Sequence, residues 1–349
     1  MNTIVYNNIQ VRKDYLFIVV FISTFIFSTS IISNHQGLND INNIVYGQTN
    51  VTQNNSTNSV NTQDIPLEKV RVGDIEMAYK VFGKGDPLIL HNGASDNMDA
   101  WDPALLTKLS SNNTVIVFDS RGIGNTTAGS EPYSIQLLAN DTAGLMDALK
   151  IQEASVLGYS LGTFTTQQFA ISYPDKVSSI ILIAGTCGGK DHVHRPADFD
   201  KLQADIVNKS LNNIPPSQEE MKSLVNASLG SGWINLYPES AVIPENITFS
   251  DMKPSLSPAT LNNQWEAGQS WVDPSWEGTC DSLAKIDKPL LTIAGTDDDL
   301  YIPHENALVI VSKVPGAWLV QIKDGGHAVP DQYPDEVGKI TDTFLSTVK

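Results

Sequence analysis

Residues 155–163 (SVLGYSLGT) carry a pattern that could support nucleophilic chemistry. An apolar run leads into a Gly-x-Ser-x-Gly motif centred on Ser160, and a stretch with helical spacing follows and stops before Pro174. A serine on a sharp turn between a strand and a helix needs small neighbours, because a Cβ two residues away would strike the adjacent strand or helix. Gly158 and Gly162 meet that need. We therefore predict that Ser160 is a nucleophile on such a turn.

A serine hydroxyl is a weak nucleophile at neutral pH, so it needs a base within hydrogen-bonding reach and a third group that orients the base. The chain has 6 histidines. Only His327 stands in a loop directly after an apolar run that predicts a strand of the core sheet, with Gly325 and Gly326 beside it. We predict that His327 is the base.

A loop after another predicted core strand offers carboxylates for the third role. Residues 295–299 (GTDDD) contain three aspartates, and the spacing from the glycine favours Asp298. We interpret Asp297 and Asp299 as solvated turn residues. Asp191, which follows the preceding core strand, is the alternative acid.

Alternating strands and helices must hold these residues in place. A hairpin is predicted over residues 69–82, where apolar and polar residues alternate around Gly73-Asp74. Apolar runs predict further strands, and helical spacing predicts the elements between them; the strands are residues 87–91, 114–118, 155–159, 177–184, 289–294 and 317–322, and the helices residues 134–149, 164–172, 303–314 and 335–348. This alternation indicates an α/β fold with a mostly parallel sheet of about eight strands, helices on both faces, and a ligand site at the carboxyl ends of the strands.

The alternation stops between about residues 186 and 287, after the sixth predicted strand. This stretch is rich in proline and tryptophan and only weakly helical, so we interpret it as a helical lid inserted over the strand ends. It contains Trp233, Trp265 and Trp271, which we predict to line an apolar substrate pocket. The alternative is that such tryptophans form the core of the lid itself.

Residues from about 68 to 349 resemble the α/β-hydrolase superfamily, in the branch of esterases, lactonases and cofactor-free haloperoxidases. The resemblance rests on residues 158–162 (GYSLG), the DxRGxG-like residues 119–124 (DSRGIG), the acid loop at Asp298, and Gly326-His327, with serine, acid and histidine in the chain order of the family. It implies the α/β-hydrolase fold.

The resemblance also implies an oxyanion hole. Asn92-Gly93-Ala94 aligns with the His-Gly-x loop of the family, so Asn92 stands where histidine is usual. The donors carried over are the backbone N–H groups of Ala94 and Leu161, and losing one such donor typically raises the barrier by about 3–4 kcal/mol. Arg121, within the DxRGxG-like stretch, is interpreted as a structural ion pair rather than as an anion-binding residue.

A complete triad predicts a serine hydrolase that forms an acyl-enzyme with a carboxylic ester, a thioester or a lactone. Two alternatives stay open. Peroxide could attack the same acyl-enzyme, which is perhydrolase or haloperoxidase chemistry, or the fold could serve as an inactive surface-binding protein. The partner expected is a small-molecule substrate, whose identity depends on the lid.

The acidic composition disfavours nucleic acid as a partner, because 22 Lys and Arg face 39 Asp and Glu and give a formal net charge of −17. No cofactor is expected. His192 and His194 form a His-x-His pair, but no further Cys, Asp or His cluster completes a metal site, so no metal is predicted.

The N-terminal part of the sequence predicts export. An uncharged apolar segment over residues 15–32 follows Arg12 and Lys13, so residues 1–33 are predicted to be a signal peptide or a membrane anchor. No Lys or Arg occurs from residue 34 to residue 68, which places the rest of the chain outside the cytoplasm. Residues 34–66, rich in Asn, Ser and Thr, are predicted to be a disordered tether before a hydrolase domain of residues 67–349. Membrane contact is expected only through the N-terminal segment, if it is not cleaved.

Cys187 and Cys280 are the 2 cysteines of the chain, and they flank the predicted lid. Outside the cytoplasm thiols tend to oxidise, and a pair at the two ends of a lid could come close enough for a disulfide. Two interpretations stay open: a disulfide that closes the base of the lid, or two separate thiols.

Overall fold

The computed structural model describes residues 3–5, 59–243 and 257–348. Its centre is one sheet of nine strands: β1 (Thr3–Val5), β2 (Glu68–Val72), β3 (Ile75–Gly83), β4 (Asp86–His91), β5 (Asn113–Phe118), β6 (Ala154–Tyr159), β7 (Val177–Ile183), β8 (Leu290–Gly295) and β9 (Trp318–Ile322). Across the sheet they lie in the order β1-β9-β8-β7-β6-β4-β5-β3-β2.

Most of the strands run parallel. β2 pairs antiparallel with β3, and β3 pairs antiparallel with β5, whereas the remaining neighbours are parallel. Strands β6 and β8 are buried along their whole length, which explains why their sequences are continuous apolar runs rather than alternating ones. Strands β2 to β9 confirm the predicted eight-stranded sheet. β1 adds a short edge strand beside β9 that the sequence pattern does not predict.

Eleven α-helices lie in the described residues: α1 (Pro103–Ser110), α2 (Ile135–Leu149), α3 (Leu161–Ser172), α4 (Ala197–Leu211), α5 (Gln218–Leu229), α6 (Ser231–Leu236), α7 (Pro258–Val272), α8 (Cys280–Leu283), α9 (Glu305–Lys313), α10 (Val329–Gln332) and α11 (Pro334–Thr347). Short polar side chains begin several of them. Asp102 caps α1 and Ser134 caps α2, each by accepting a hydrogen bond from a backbone N–H of the first turn.

Helices cover both faces of the sheet, as predicted. On one face, Leu90 and Ile293 of the sheet belong to a cluster that includes Phe344 of α11 and the leucines of α1. On the other face, Val156 clusters with Phe169 of α3 and with apolar residues of α2 and α9. The sheet is therefore covered on both faces, and it positions the loops that follow the carboxyl ends of its strands.

The chain between β7 and β8, called the insertion below, holds α4 to α8. Residues 244–256 of the insertion lie outside the described residues. The insertion occupies the predicted place after the sixth strand of the domain; its role as a lid stays a prediction.

Of the predicted signal or anchor segment (residues 1–33), residues 3–5 form β1 beside β9, which that prediction does not anticipate. Its apolar run over residues 15–32 lies outside the described residues, as does most of the predicted tether. The last residues of that tether contact the domain, which corrects its predicted end at residue 66. The Val60 N–H donates to Thr107 Oγ1 at 2.6 Å, and Thr62 is buried. The apolar Val60 side chain packs on the core, which explains why these residues contact the domain. Within the described ranges, no helix combines the length and the apolar character that crossing a bilayer requires.

Candidate active site

Ser160 lies between β6 and α3 on a strained turn. Its φ is 51° and its ψ is −121°, a left-handed backbone that L side chains rarely adopt. Its N–H donates to the carbonyl oxygen of Ile183 at 3.0 Å, which holds the turn against β7. A Cβ at Gly158 would collide with the carbonyl oxygen of Gly162, and a Cβ at Gly162 with that of His91. Close packing therefore requires both glycines, as the motif predicts.

The structure brings Ser160, His327 and Asp298 into one hydrogen-bonded series. Ser160 Oγ lies 2.9 Å from His327 Nε2, and His327 Nδ1 lies 2.6 Å from Asp298 Oδ2. All three side chains are buried. Because a carboxylate only accepts, His327 carries its proton on Nδ1, and its Nε2 accepts the hydroxyl proton of Ser160. The second carboxylate oxygen of Asp298 accepts the Ile302 N–H at 3.2 Å.

Two tyrosine rings pack on the His327 imidazole. Tyr301 is stacked with a centroid distance of 4.9 Å, and Tyr159 lies at 5.5 Å. The insertion supports Tyr301 in turn, because Phe199 of α4 packs edge-on against its ring and the Leu224 carbonyl of α5 accepts its hydroxyl proton at 3.4 Å. The orientation of the imidazole thus depends on the insertion as well as on the sheet.

The loop that carries His327 is fastened to the insertion by a second route. Gln332 accepts the Gly326 N–H at 2.8 Å and donates its amide to the Leu229 carbonyl at 2.8 Å. The Ala328 N–H donates to the Ser228 carbonyl at 3.0 Å. A Cβ at Gly326 would collide with the backbone at Leu229, so this close approach requires glycine.

Asp297 is not the solvated turn residue that the sequence suggests. Its Oδ2 accepts the Gly232 N–H at 2.6 Å and the Ser231 hydroxyl at 3.0 Å. Both donors lie at the start of α6, so Asp297 anchors the insertion to the loop after β8. Sequence spacing alone does not reveal a partner that lies 65 positions away.

The other candidate acids have partners outside the series. Asp299 is exposed, and its carboxylate lies 3.3 Å from His304 Nδ1. Asp191 is paired with Lys313 at 2.7 Å. Neither is hydrogen-bonded to His327, and Asp298 alone among these acids occupies the third place of the series.

Ala94 and Leu161 follow β4 and β6, which pair in parallel, and they belong to one buried apolar cluster. Within the part of the chain that the structure describes, no hydrogen-bond acceptor takes the backbone N–H of either residue. Both donors therefore remain available at the carboxyl edge of the sheet, as an oxyanion hole requires.

Side chains hold the loop after β4 in place. The Asn92 amide, in the position where the family has histidine, donates to the Asn97 carbonyl within the same loop. Ser95 has a φ of 66°, and its N–H donates at 2.9 Å to the buried side chain of Gln264 on α7. The insertion thereby fixes the residue next to Ala94.

A cavity of about 380 Å³ opens beside Ser160. Its apolar wall includes Leu161 and Phe164 from α3, Val272 from the end of α7, and Ile302 from the loop after β8. A space of this size and lining suits a small organic substrate.

The tryptophans predicted to line the pocket are not among the described residues that line this cavity, which corrects that prediction. Trp271 is buried and stacks on Phe164 with a centroid distance of 5.0 Å, so it lies behind the wall. Trp233 packs edge-on against Tyr333 at 5.1 Å. Trp265 is half-buried on α7. Large rings stabilise most by packing among other residues, and accordingly Trp271 belongs to a buried apolar cluster and Trp233 packs against the core beside β9 and α11.

The polar part of the cavity wall includes four side chains from the first part of the insertion: His192, His194, Arg195 and Asp200. Burial, with a smaller contribution from His194 and Arg195, lowers the pKa of His192 to about 4. Its Nδ1 lies 3.0 Å from Thr186 Oγ1, and that hydroxyl donates to Asn306 at 2.9 Å. The neutral ring therefore donates from Nδ1 and keeps Nε2 as an acceptor.

Two acids meet beside β4: Asp96, which is buried in the loop after that strand, and Asp331 of α10, which is half-buried. Asp96 and Asp331 flank a space of about 10 Å³ together with Asn92 and Trp101. Burial raises the pKa of Asp96 to about 7. Burial, together with the Asp102 and Asp96 carboxylates, raises the pKa of Asp331 well above its usual value. Asp96 is therefore protonated in acidic solution and ionises near neutral pH.

Cys187 and Cys280 are joined by a disulfide, with their Cα atoms 5.3 Å apart. The Thr279 N–H donates to the Cys187 carbonyl at 2.9 Å beside it. The sequence left two interpretations open, and the structure shows the disulfide. Because its cysteines are 93 positions apart, the bond joins the two ends of the insertion.

Arg121 has the structural role that the sequence suggests. It is buried, donates to both oxygens of Asp141 at 2.7 and 2.8 Å, and also donates to Asp74 at 3.1 Å. These bonds join the loop after β5 to α2 and to the hairpin turn.

The described residues contain one group of potential metal ligands, Asp299, His304 and Glu305, whose ligand atoms lie within 4.8 Å of one another. Both carboxylates are exposed, and exposed acidic groups are common without an ion. The group does not include His192 or His194. The absence of a metal stays a prediction.

Sequence reasoning missed three residues that support the site: Gln264, Tyr301 and Gln332. One signal was present for Gln264, since it follows Leu261 by three positions and so lies on the buried face of α7. A polar side chain on an apolar helix face usually has a specific partner. Nothing in the local sequence marks the other two, because their partners are distant in the chain.

Comparison with known proteins agrees with this geometry. Residues 86–333 match the family described as alpha/beta hydrolase fold. The chain therefore belongs to the α/β-hydrolase family and is an enzyme of that class.

Relatives within the family differ in activity. BpoC of Mycobacterium tuberculosis, named as a candidate non-heme bromoperoxidase, is 28% identical over 277 residues, which cover 79% of this chain and 99% of BpoC. The poly(3-hydroxyalkanoate) depolymerase of Ectopseudomonas oleovorans is 28% identical over 261 residues, covering 74% of this chain and 84% of the depolymerase. In structure, the meta-cleavage product hydrolase CumD of Pseudomonas fluorescens IP01 matches with a TM-score of 0.64 at 19% identity, covering 82% of this chain and 100% of CumD. The last comparison shows a shared fold.

Proposed function

We propose that this enzyme is a serine hydrolase that cleaves a carboxylic ester, a thioester or a lactone through an acyl-enzyme. The observation that carries the proposal is the buried series from Ser160 through His327 to Asp298, with distances of 2.9 and 2.6 Å. In this series the serine has a base within reach, and the base has a fixed tautomer.

In the first step, Ser160 Oγ attacks the substrate carbonyl while His327 Nε2 takes the hydroxyl proton. The negative charge that develops on the carbonyl oxygen is stabilised by the N–H groups of Ala94 and Leu161. Asp298 stabilises the imidazolium that forms, because its carboxylate stays hydrogen-bonded to Nδ1–H. His327 then gives its proton to the oxygen or sulfur released from the carbonyl carbon. An alcohol or thiol departs, the new hydroxyl of an opened lactone stays on the acyl chain, and the acyl group remains on Ser160.

In the second step, water replaces the leaving group. His327 takes a proton from the water as its oxygen attacks the acyl carbonyl, and the proton then returns to Ser160 Oγ when the bond to the serine breaks. The products are a carboxylic acid and the restored hydroxyl. No group beyond the three side chains and the two N–H donors is required.

The second candidate function is a perhydrolase, in which hydrogen peroxide instead of water attacks the acyl-enzyme. The 28% identity to BpoC supports this candidate. The acyl-enzyme would then release a peracid rather than an acid. The same residues carry both reactions, so the difference lies in which nucleophile reaches the acyl carbonyl.

A screen of p-nitrophenyl esters and lactones of graded chain length, with and without hydrogen peroxide, tests the proposal. We expect ester or lactone turnover by the wild type and none by Ser160→Ala, which removes the nucleophile and almost no packing. Peracid as the main product under peroxide would favour the second candidate. Turnover that survives in Ser160→Ala would contradict both candidates, and no turnover of any substrate in the panel would count against ester and lactone substrates.

We also propose that the folded domain lies outside the cytoplasm. The apolar segment over residues 15–32 supports export, and the disulfide between Cys187 and Cys280 suits an oxidising compartment. The pairing of β1, which precedes that segment, with β9 counts against export, because export would leave β1 on the other side of the membrane or cleave it off. Protease added to intact cells should digest the domain. Protection of the domain until the cells are lysed would contradict this location.

A further inference from the structure

We propose that the catalytic cavity contains a carboxylate-binding subsite centred on Arg195, so that the preferred substrates are esters or lactones that bear a carboxylate. This inference rests on the proposed function and specifies its substrate class. It starts from the polar part of the cavity wall, which the triad does not use.

The first observation is that the Arg195 guanidinium is largely buried with few partners. Its side chain is 14% exposed and lines the cavity beside Ser160. Nε donates to Asp200 at 2.5 Å, and Nη1 lies 3.4 Å from the Tyr301 carbonyl, which is a weak contact. A guanidinium has five N–H donors, and no other acceptor among the described residues takes one. The remaining donors are not among the buried polar atoms that lack a partner, so a ligand that enters the cavity can accept hydrogen bonds from them in place of water.

The second observation is that the guanidinium is held in one orientation. Asp200 fixes its Nε edge, and the ring of Phe199 lies 5.9 Å from its central carbon. A guanidinium fixed in this way presents a planar fork of Nη donors, which matches the two oxygens of a carboxylate. Ordering the fork before binding lowers the entropy cost of recognition.

The charges around the cavity favour Arg195 as the recognition group. It is the only Lys or Arg among the described residues that line the cavity. The chain carries a formal net charge of −17, so an anionic substrate requires a local cation to offset the repulsion. Two acids also line the cavity, but Asp200 is 46% exposed and already paired with Arg195, and the Asp273 carboxylate accepts the Ser275 N–H at 2.7 Å.

The test compares matched pairs of esters that differ in one charge. On the acyl side, mono-p-nitrophenyl glutarate is paired with p-nitrophenyl 5-methylhexanoate, which replaces the carboxylate oxygens by methyl groups. On the leaving-group side, the butyrate ester of 4-hydroxybenzoate is paired with p-nitrophenyl butyrate. Rates with Ser160→Ala supply the background of spontaneous hydrolysis. The measured quantity is the factor by which Arg195→Gln lowers kcat/KM for each ester.

In one of the two series, Arg195→Gln should lower kcat/KM about 10- to 100-fold more for the carboxylate ester than for its neutral partner, the effect expected for a hydrogen bond to a charged group. Arg195→Lys should keep part of this selectivity, because it retains the charge without the fork. Arg71→Gln, at an exposed arginine on β2, should leave the ratio unchanged. Thermal unfolding checks that each variant is folded, and Arg195→Lys replaces Arg195→Gln if the latter is not.

If Arg195→Gln lowers kcat/KM by the same factor for the carboxylate ester and its neutral partner in both series, the carboxylate subsite is overturned. That outcome is distinguishable from failure of the proposed function. If wild type hydrolyses the neutral esters and Ser160→Ala does not, the serine hydrolase stands and only the carboxylate subsite fails. If Ser160→Ala retains turnover, the proposed function fails first.

Discussion

Asp298→Asn should nearly abolish turnover while leaving the enzyme folded. The Asp298 carboxylate accepts two N–H groups at once, from His327 Nδ1 at 2.6 Å and from Ile302 at 3.2 Å. These two N–H groups contact different carboxylate oxygens, so an asparagine, which has an oxygen on one side and an amide nitrogen on the other, can accept from only one of them. If its oxygen stays on the Ile302 N–H, its amide donates to His327 Nδ1 and forces the imidazole proton onto Nε2. An imidazole in that tautomer cannot accept the Ser160 hydroxyl proton.

The magnitude follows from this tautomer change. An asparagine at the orienting acid of a serine triad lowers kcat about 10⁴-fold, roughly 5 kcal/mol of barrier. If the amide turns the other way, the buried Ile302 N–H loses its acceptor, at a stability cost of about 1–3 kcal/mol. Both orientations damage the enzyme, but only the first removes the base.

The assay is kcat with p-nitrophenyl butyrate under saturating conditions, with thermal unfolding as a check of folding. Asp297→Asn is the matched control, since its carboxylate is next in sequence and anchors α6 rather than His327. The control should lose far less activity than Asp298→Asn. The reasoning is refuted if a folded Asp298→Asn enzyme keeps kcat within about tenfold of wild type, or if Asp297→Asn is the more damaging change.

Three further predictions concern the surroundings of the triad. Gln264→Leu removes the acceptor of the buried Ser95 N–H beside Ala94, so kcat should fall about tenfold or more. An unchanged kcat would contradict the role of α7 in fixing the loop that carries Ala94. Burial raises the pKa of Asp96 to about 7, well above that of a solvated aspartate, so its contribution to stability is present below the ordinary pKa and is lost as the pH rises through the raised one. Asp96→Asn should therefore gain stability over wild type at pH 8 relative to pH 5, by at most about 3 kcal/mol in urea unfolding; a pH-independent difference would contradict it. Replacing Cys187 and Cys280 together by serine should lower the free energy of unfolding by up to about 4–5 kcal/mol, because the closed loop is long, and an unchanged urea midpoint would argue against the disulfide.

Local patterns in the sequence were enough to predict the sheet and the triad. The continuous apolar runs predict β6 and β8 because both faces of those strands are buried, and the motif around Ser160 predicts the turn because only glycine fits beside it. His327 was identifiable because it directly follows a core strand. The oxyanion donors, in contrast, came from the family resemblance.

Features that depend on long-range packing were not predictable. Trp271 and Phe164 are distant in the chain, so the sequence does not reveal that their stacking places the tryptophan behind the cavity wall. The same holds for Asp297, whose partners belong to α6, and for Tyr301, which joins the insertion to His327. The order of Val60 likewise results from packing on the core, which a polar, Asn-rich composition does not indicate.

The central claim is that Ser160 is an activated nucleophile, and covalent labelling with a fluorophosphonate tests it most directly. The reagent reacts with a serine only when a base removes the hydroxyl proton, and the adduct can be located by mass spectrometry of peptides. We predict one adduct, on the peptide that contains Ser160, in the wild type, and none in Ser160→Ala or His327→Ala. A wild-type enzyme that hydrolyses esters but stays unlabelled at Ser160, or that is labelled equally in the His327→Ala variant, would contradict the account.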